Sequence, residues 1–225
     1  MKENLYLAGN ALTGTVPDAL CTLPLVNLEA DCEVGCNCCT NQAECTSSPS
    51  RAPVTTSAPT STVTMAPVIG ATFQPTGMVT NQTSRMQLQS LLAGIAFDGG
   101  QSLMTAGTAQ NRAFEWLASN PGVSSYSDYR LTERYALATL YFSTRGDSWD
   151  NQTGWLVDPD VCNWYPITFG NQQTSICDQN GDVAVLFLQE NKLVGMLPPE
   201  LAHMTSLGKY YEDAKKLSWR MPFSN

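Results

Sequence analysis

One pattern occurs twice in this chain, and it restricts the fold more than any other feature. Val183 to Leu207 reads VAVLFLQENKLVGMLPPELAHMTSL, and Leu5 to Leu23 reads LYLAGNALTGTVPDALCTL. Superposing the two places Leu186 on Leu5, Leu188 on Leu7, Asn191 on Asn10, Leu193 on Leu12, Gly195 on Gly14, Leu197 on Val16, Pro198 on Pro17 and Leu201 on Leu20. The shared formula is L-x-L-x-x-N-x-L-x-G-x-(V/L)-P-x-x-L. Leucines at alternate positions bury one face of a strand. An amide side chain where the strand ends can donate to and accept from the open backbone groups of a turn. The glycine permits a tight bend, and the proline fixes φ where the chain starts back. Each copy is therefore expected to form one coil of a solenoid. A coil cannot bury its leucines alone, so roughly three stacked coils are the usual minimum. This chain holds two, at opposite ends.

The formula resembles the plant-type leucine-rich repeat. That resemblance implies an α/β fold of short parallel strands in stacked coils, closed at each open end by a cap. Six cysteines fall from the end of the first copy onward, namely Cys21 within it and then Cys32, Cys36, Cys38, Cys39 and Cys45. Their run holds only one C-x-x-C unit, Cys36 to Cys39, and lacks the second unit and the histidine usual in zinc sites, so disulfides are expected in place of a metal. Spacing does not resolve their pairing. In position the cluster is similar to the cysteine-rich C-terminal cap of leucine-rich-repeat proteins.

Thr46 to about Thr83 consists mainly of Ser, Thr, Pro and Ala with almost no charge. Such a composition buries too little apolar surface to offset the entropy of ordering, and reads as a linker that is either O-glycosylated or bare. Three helices are then expected. One starts near Arg85, carries Met86, Leu88, Leu91, Leu92 and Ile95, and ends at Asp98-Gly99-Gly100. The others span Thr108 to Ser119 and Leu131 to Thr144, and the three should pack together. Beyond them, Ala136-Leu137, Trp149 or Trp155, Cys162 with Trp164, and Cys177 resemble the N-terminal cap of the same family. The likeness implies a Cys162 to Cys177 disulfide and aromatic cover for the leucines of the first coil. Arg112 to Leu207 is similar in particular to leucine-rich-repeat proteins of diatom-type algae.

The expected divisions are a truncated coil over 1–26, a Cys-rich C-terminal cap over 27–45, a linker over 46–84, a helical N-terminal cap over 85–182, a coil over 183–209 and an unassigned tail over 210–225. The linker's roughly 38 residues have a root-mean-square reach of about 30 to 37 Å, enough for the coil at Val183 to stack beneath that at Leu5. Head-to-tail linkage with another copy is the other way to cover two open coils, and a fragment between two arrays of a longer protein is the competing account.

A net charge of −8 gives no basic footprint for nucleic acid. No apolar run approaches the roughly 20 residues of a membrane span. Eight cysteines and the sequons at Asn81 and Asn151 suit an exported protein, outside the cell or on its surface. Met1 to Leu5 shows no signal-peptide core, so a signal or anchor is expected in a longer parent.

Chemistry has little support: His203 has no partner histidine or nucleophile motif nearby, and the stretch that begins at Asp178 like a calcium loop has Val183 in place of its glycine and Gln189 in place of its closing glutamate. No catalytic residue, metal or cofactor is expected. Tyr6 and Phe187 occupy the same slot between buried leucines. In leucine-rich-repeat proteins that slot opens on the concave face that takes ligands, which makes Asn4, Tyr6, Val185, Phe187, Gln189 and Glu190 the candidate binding residues, with Ala8 beside them. The preferred expectation is a non-catalytic module binding a protein, peptide or glycan. The alternative is a structural surface or cell-wall protein joining two solenoids without a ligand. Clustered aromatic and polar side chains on the face favour the first, and a bland face the second.

Overall fold

The computed structural model describes residues 4–25, 27–41, 79–157, 160–164, 167–169 and 172–207. Cys45, most of the expected linker and the tail over 210–225 lie outside these residues. The first repeat copy supplies β1 (Asn4–Tyr6) and β2 (Ala11–Leu12), and β3 (Asn27–Glu29) follows. Four helices come next: α1 (Val79–Ile95), α2 (Gln101–Met104), α3 (Ala109–Ala118) and α4 (Asp128–Ser143). A hairpin of β4 (Ile167–Phe169) and β5 (Gln172–Thr174) leads to β6 (Leu186–Phe187) and β7 (Val194–Gly195) in the second copy.

The two copies lie side by side. Strands β3, β1 and β6 make one parallel sheet, with Leu5 opposite both Leu28 and Leu186. Strands β2 and β7 pair in parallel in the same sense, Ala11 opposite Val194 and Leu12 opposite Gly195. Each proline turns the chain into a 3-10 segment, Asp18–Thr22 after Pro17 and Pro199–His203 after Pro198, and these two carry Leu20 and Leu201 into the core. Leu5, Leu7, Leu20, Leu188, Leu193 and Leu201 are all 0% exposed. At about 1.5–3 kcal/mol for each fully buried leucine, their burial is what holds such short strands together.

Asparagine binds one copy to the next. Asn10 Nδ2 donates to the Leu7 and Leu188 carbonyls at 2.7 and 2.8 Å, and its Oδ1 accepts from the Asn191 and Leu193 amides at 3.1 and 2.9 Å. Asn191 repeats the arrangement one level down, accepting from the Asn151 amide at 2.7 Å and donating to its carbonyl at 3.0 Å. Exchanging Asn10→Asp replaces two donors by an acceptor and leaves the Leu7 and Leu188 carbonyls facing a carboxylate. The expected loss is about 2–4 kcal/mol of unfolding free energy, measured by urea denaturation.

The helices sit against the second copy. Thr108 and Ser127 cap α3 and α4 by accepting from the Asn111 and Arg130 amides. Helix α4 is buried on nearly every side from Leu131 to Tyr141, because α3 packs on one flank and the repeat on the other. Trp149, Trp155 and Trp164 join the repeat leucines in one core, while Leu88, Leu92, Leu103, Phe114, Leu117 and Tyr135 form a second between the helices. Cys162 and Cys177 are bonded, and the hairpin β4–β5 fills the loop between them. Further disulfides join Cys21 to Cys38 and Cys36 to Cys39, and Cys32 is also oxidised.

Two elements cross the expected divisions. Residues 27–29, assigned to the C-terminal cap, are a strand of the sheet, because Leu28 buries its side chain beside Leu5. The helix expected from Arg85 starts at Val79, within the span given to the linker.

Candidate functional site

The parity that buries Leu5, Leu28 and Leu186 forces their successors to the opposite face. Glu29, Tyr6 and Phe187 therefore stand in a row across the solvent side of the sheet, in the register Tyr6 with Glu29 and Tyr6 with Phe187. The Tyr6 and Phe187 rings stack with centroids 5.3 Å apart and planes at 22°. Both are half-buried, as is Glu29, so each keeps surface open.

The remaining candidate residues divide. Gln189 and Glu190 are exposed at the end of β6, where the Glu190 side chain lies over Gly9. A Cβ on Gly9 would come within 2.7 Å of Glu190 Cγ, and Gly9 also holds a positive φ of 76°. Glycine is thus required there for the two copies to sit close. Val185 departs from the expectation: it is 8% exposed and offers little surface to a ligand. Asn4 occupies the row next to Asn27, and the side chain of Asn4 lies outside the described residues. Of the sequons, Asn151 is half-buried and its Oδ1 accepts from the Thr153 amide, while Asn81 lies in α1 with its side chain outside the described residues.

Sequence reasoning missed Glu29 and Asp31. Their signal was present, since Asn27-Leu28-Glu29-Ala30 repeats the opening of Asn4-Leu5-Tyr6-Leu7. Asp31 follows β3 with the parity of Glu29, and both its carboxylate oxygens accept from the Asn10 amide, at 3.0 and 3.1 Å. Burial raises its pKa above the ordinary value, and Glu33 nearby pushes in the same direction.

Elsewhere, polar groups serve the fold. His203 Nε2 lies 2.7 Å from the Ile95 carbonyl, and its ring sits against Phe97. Asp178 closes a turn, its Oδ1 accepting from the Asn180 and Asp182 amides. No group of three or more His, Cys, Asp or Glu side chains able to hold a metal is found among the described residues, and no described helix is long and apolar enough to cross a membrane.

Glu133 is the exception in its energetics. Fully buried in α4, it accepts from the Val183 amide at 2.6 Å and from Arg130, which also bonds the Gly181 carbonyl. Burial outweighs Arg130 and that amide, and raises its pKa from 4.5 to about 7. Folding therefore takes up a proton between these values, and the contribution is lost as pH rises through that window, at most about 3 kcal/mol. Urea denaturation should show the protein less stable at pH 8 than at pH 5. Asp31 and Glu200 are raised by burial too, so Glu133→Gln should reduce the difference by that amount without abolishing it. An unchanged difference in the variant would remove Glu133 from the account.

No family model matches the chain, and no match was found among curated proteins or solved structures.

Proposed function

We propose that this chain is a non-catalytic recognition module of the leucine-rich-repeat kind, carried by an exported or cell-surface protein. In this reading the two repeat copies, though at opposite ends of the sequence, form one short solenoid. The cysteine-rich segment closes it on one side and the helices with their tryptophans close it on the other. The disulfides support an oxidising location outside the cell. The solvent face of the sheet is the surface that takes a protein, peptide or glycan. A single observation carries that assignment: an aromatic residue in the same repeat slot of each copy, Tyr6 and Phe187, stacked side by side where solvent can reach them. Paired rings are rigid and lose little entropy on binding, which makes them effective anchors for a partner.

The test is an array of extracellular peptides and glycans probed with the oxidised chain and with the Tyr6→Ser/Phe187→Ser double variant. Binders seen with the parent chain should lose at least about tenfold in affinity in the variant, since central aromatic anchors each contribute on the order of 1–2 kcal/mol or more. An array without binders, or binders indifferent to both rings, would favour the structural alternative, a surface protein without a specific ligand.

A further inference from the structure

The charge around the aromatic pair selects among ligands. From Asn4 to Asn41 the sequence contains Asp18, Glu29, Asp31 and Glu33 and no Lys, Arg or His. Three of these acids follow or belong to β3, the strand beside Tyr6, and Glu190 adds a fourth carboxylate at the end of β6. Among the described residues, no ion pair involves Glu29, Asp31, Glu33 or Glu190. The five present join Arg85 to Glu115, Arg112 to Asp147, Arg130 to Glu133 and Asp182, and Lys192 to Asp150. Among the described residues, the cations of these ion pairs thus sit on the helices and on the turn after β6, and the acids of the sheet face take part in none.

The order across the sheet matters as much as the sign. Tyr6 has Phe187 on one side and Glu29 on the other, on strands about 4.8 Å apart. A planar cation laid on the Tyr6 side of the pair would meet the ring with its face and the Glu29 carboxylate with its N–H edge. Guanidinium is the group whose shape suits both contacts, since it stacks on aromatic faces and donates in its own plane. This protein already uses the combination within its fold. Arg85 lies 4.5 Å over the ring of Phe114, Arg112 lies 4.2 Å over Phe142, and Arg134 is packed among Trp116, Tyr126 and Trp164.

We infer that the sheet face docks a basic peptide segment, with an arginine side chain lying across Tyr6 and Phe187 and its guanidinium held by Glu29. Asp31 and Glu190 supply attraction at longer range for neighbouring basic residues. This rests on the recognition reading above and adds the chemistry of the partner, a flexible arginine-containing stretch as opposed to a neutral saccharide or an acidic chain.

The experiment uses the full oxidised chain and follows the Tyr6 and Phe187 ring signals in carbon-proton spectra during titration. Three probes are compared: the capped octapeptide Gly-Ser-Arg-Gly-Ser-Arg-Gly-Ser, the same peptide with glutamate for arginine, and a hexasaccharide of β-linked glucose. The arginine peptide should shift both ring signals, and its affinity should drop several-fold as salt rises from about 0.05 to 0.5 M, where the screening length falls from roughly 14 to 4 Å. Glu29→Gln should weaken it about three- to fivefold, and Glu29→Lys by more than tenfold, with the far-UV circular dichroism unchanged because Glu29 is half-exposed. If the saccharide or the glutamate peptide shifts the rings and the arginine peptide does not, the surface binds ligands but the basic-peptide inference is wrong. Shifts confined to other parts of the protein, or an arginine peptide indifferent to Glu29→Lys, would overturn it equally. If none of the three moves either ring, the inference fails, and a silent array would then take the recognition reading with it.

Discussion

Gly195→Ala is expected to cost on the order of 4 kcal/mol or more and to lower the melting temperature by roughly 10 °C or beyond. Gly195 ends β7 at a φ of 137°, which an L side chain rarely adopts, and a Cβ there would overlap the Ser143 carbonyl oxygen at the end of α4. Neither partner can give way. The Val194 amide donates to the Thr144 carbonyl at 3.1 Å, and Thr13 on the other side donates to the Gly195 carbonyl at 2.7 Å. The residue is clamped between helix and first repeat copy, so the two cannot separate locally to accept a methyl group. Gly14, its counterpart in the other copy, also has a positive φ of 81°, but a Cβ there would meet only the flexible Met196 side chain. Gly14→Ala should therefore be the milder change. Thermal unfolding of the two variants in parallel separates the conformational cost they share from the overlap that only Gly195 suffers, and equal losses would refute the clamp.

Trp164→Ala should be nearly as damaging, at about 3–5 kcal/mol. Trp164 is 0% exposed and packs between Trp116 and Trp155, with ring centroids 5.7 and 5.3 Å away. Its removal opens a cavity where α3, α4 and the Cys162–Cys177 loop meet. It also removes one of the three rings around the Arg134 guanidinium, which is 1% exposed and depends on aromatic faces to offset its desolvation. A cycle with Arg134→Met tests this coupling. If the ring stabilises the charge, Trp164→Ala should cost about 1–2 kcal/mol less in the Arg134→Met background, whereas additive losses would show that Trp164 contributes only volume.

The repeat was legible because its physics is local. Superposing the copies puts Leu5 on Leu186, and the same two residues face each other in the sheet. The α3 and α4 helices were also visible, as apolar positions at helical spacing between clear stops. Three things were not. Strand β3 is short, and although Asn27 to Ala30 repeats the opening of β1, the formula breaks off after it, with Glu33 where the asparagine would stand. The first turns of α1 are polar, so their helical state leaves no periodic mark. The buried Glu133 and Arg134 look like solvated charges in sequence, because the groups that accommodate them arrive from far along the chain, Val183 in one case and Trp116, Tyr126 and Trp164 in the other. The candidate site shares this division. Tyr6 and Phe187 followed from the repeat slot, while Glu29 needed strand β3, after which the formula breaks off, and Val185 was assigned to the surface although it is only 8% exposed.

The proposed binding face requires that the two ends of one chain join in a single sheet. Nuclear Overhauser contacts between the Tyr6 and Phe187 rings, recorded on dilute protein mixed from labelled and unlabelled copies, test that directly. The rings are 5.3 Å apart, so strong contacts within one labelled molecule are expected, at an intensity independent of concentration. Contacts absent altogether, or seen only between labelled and unlabelled molecules, would contradict the account.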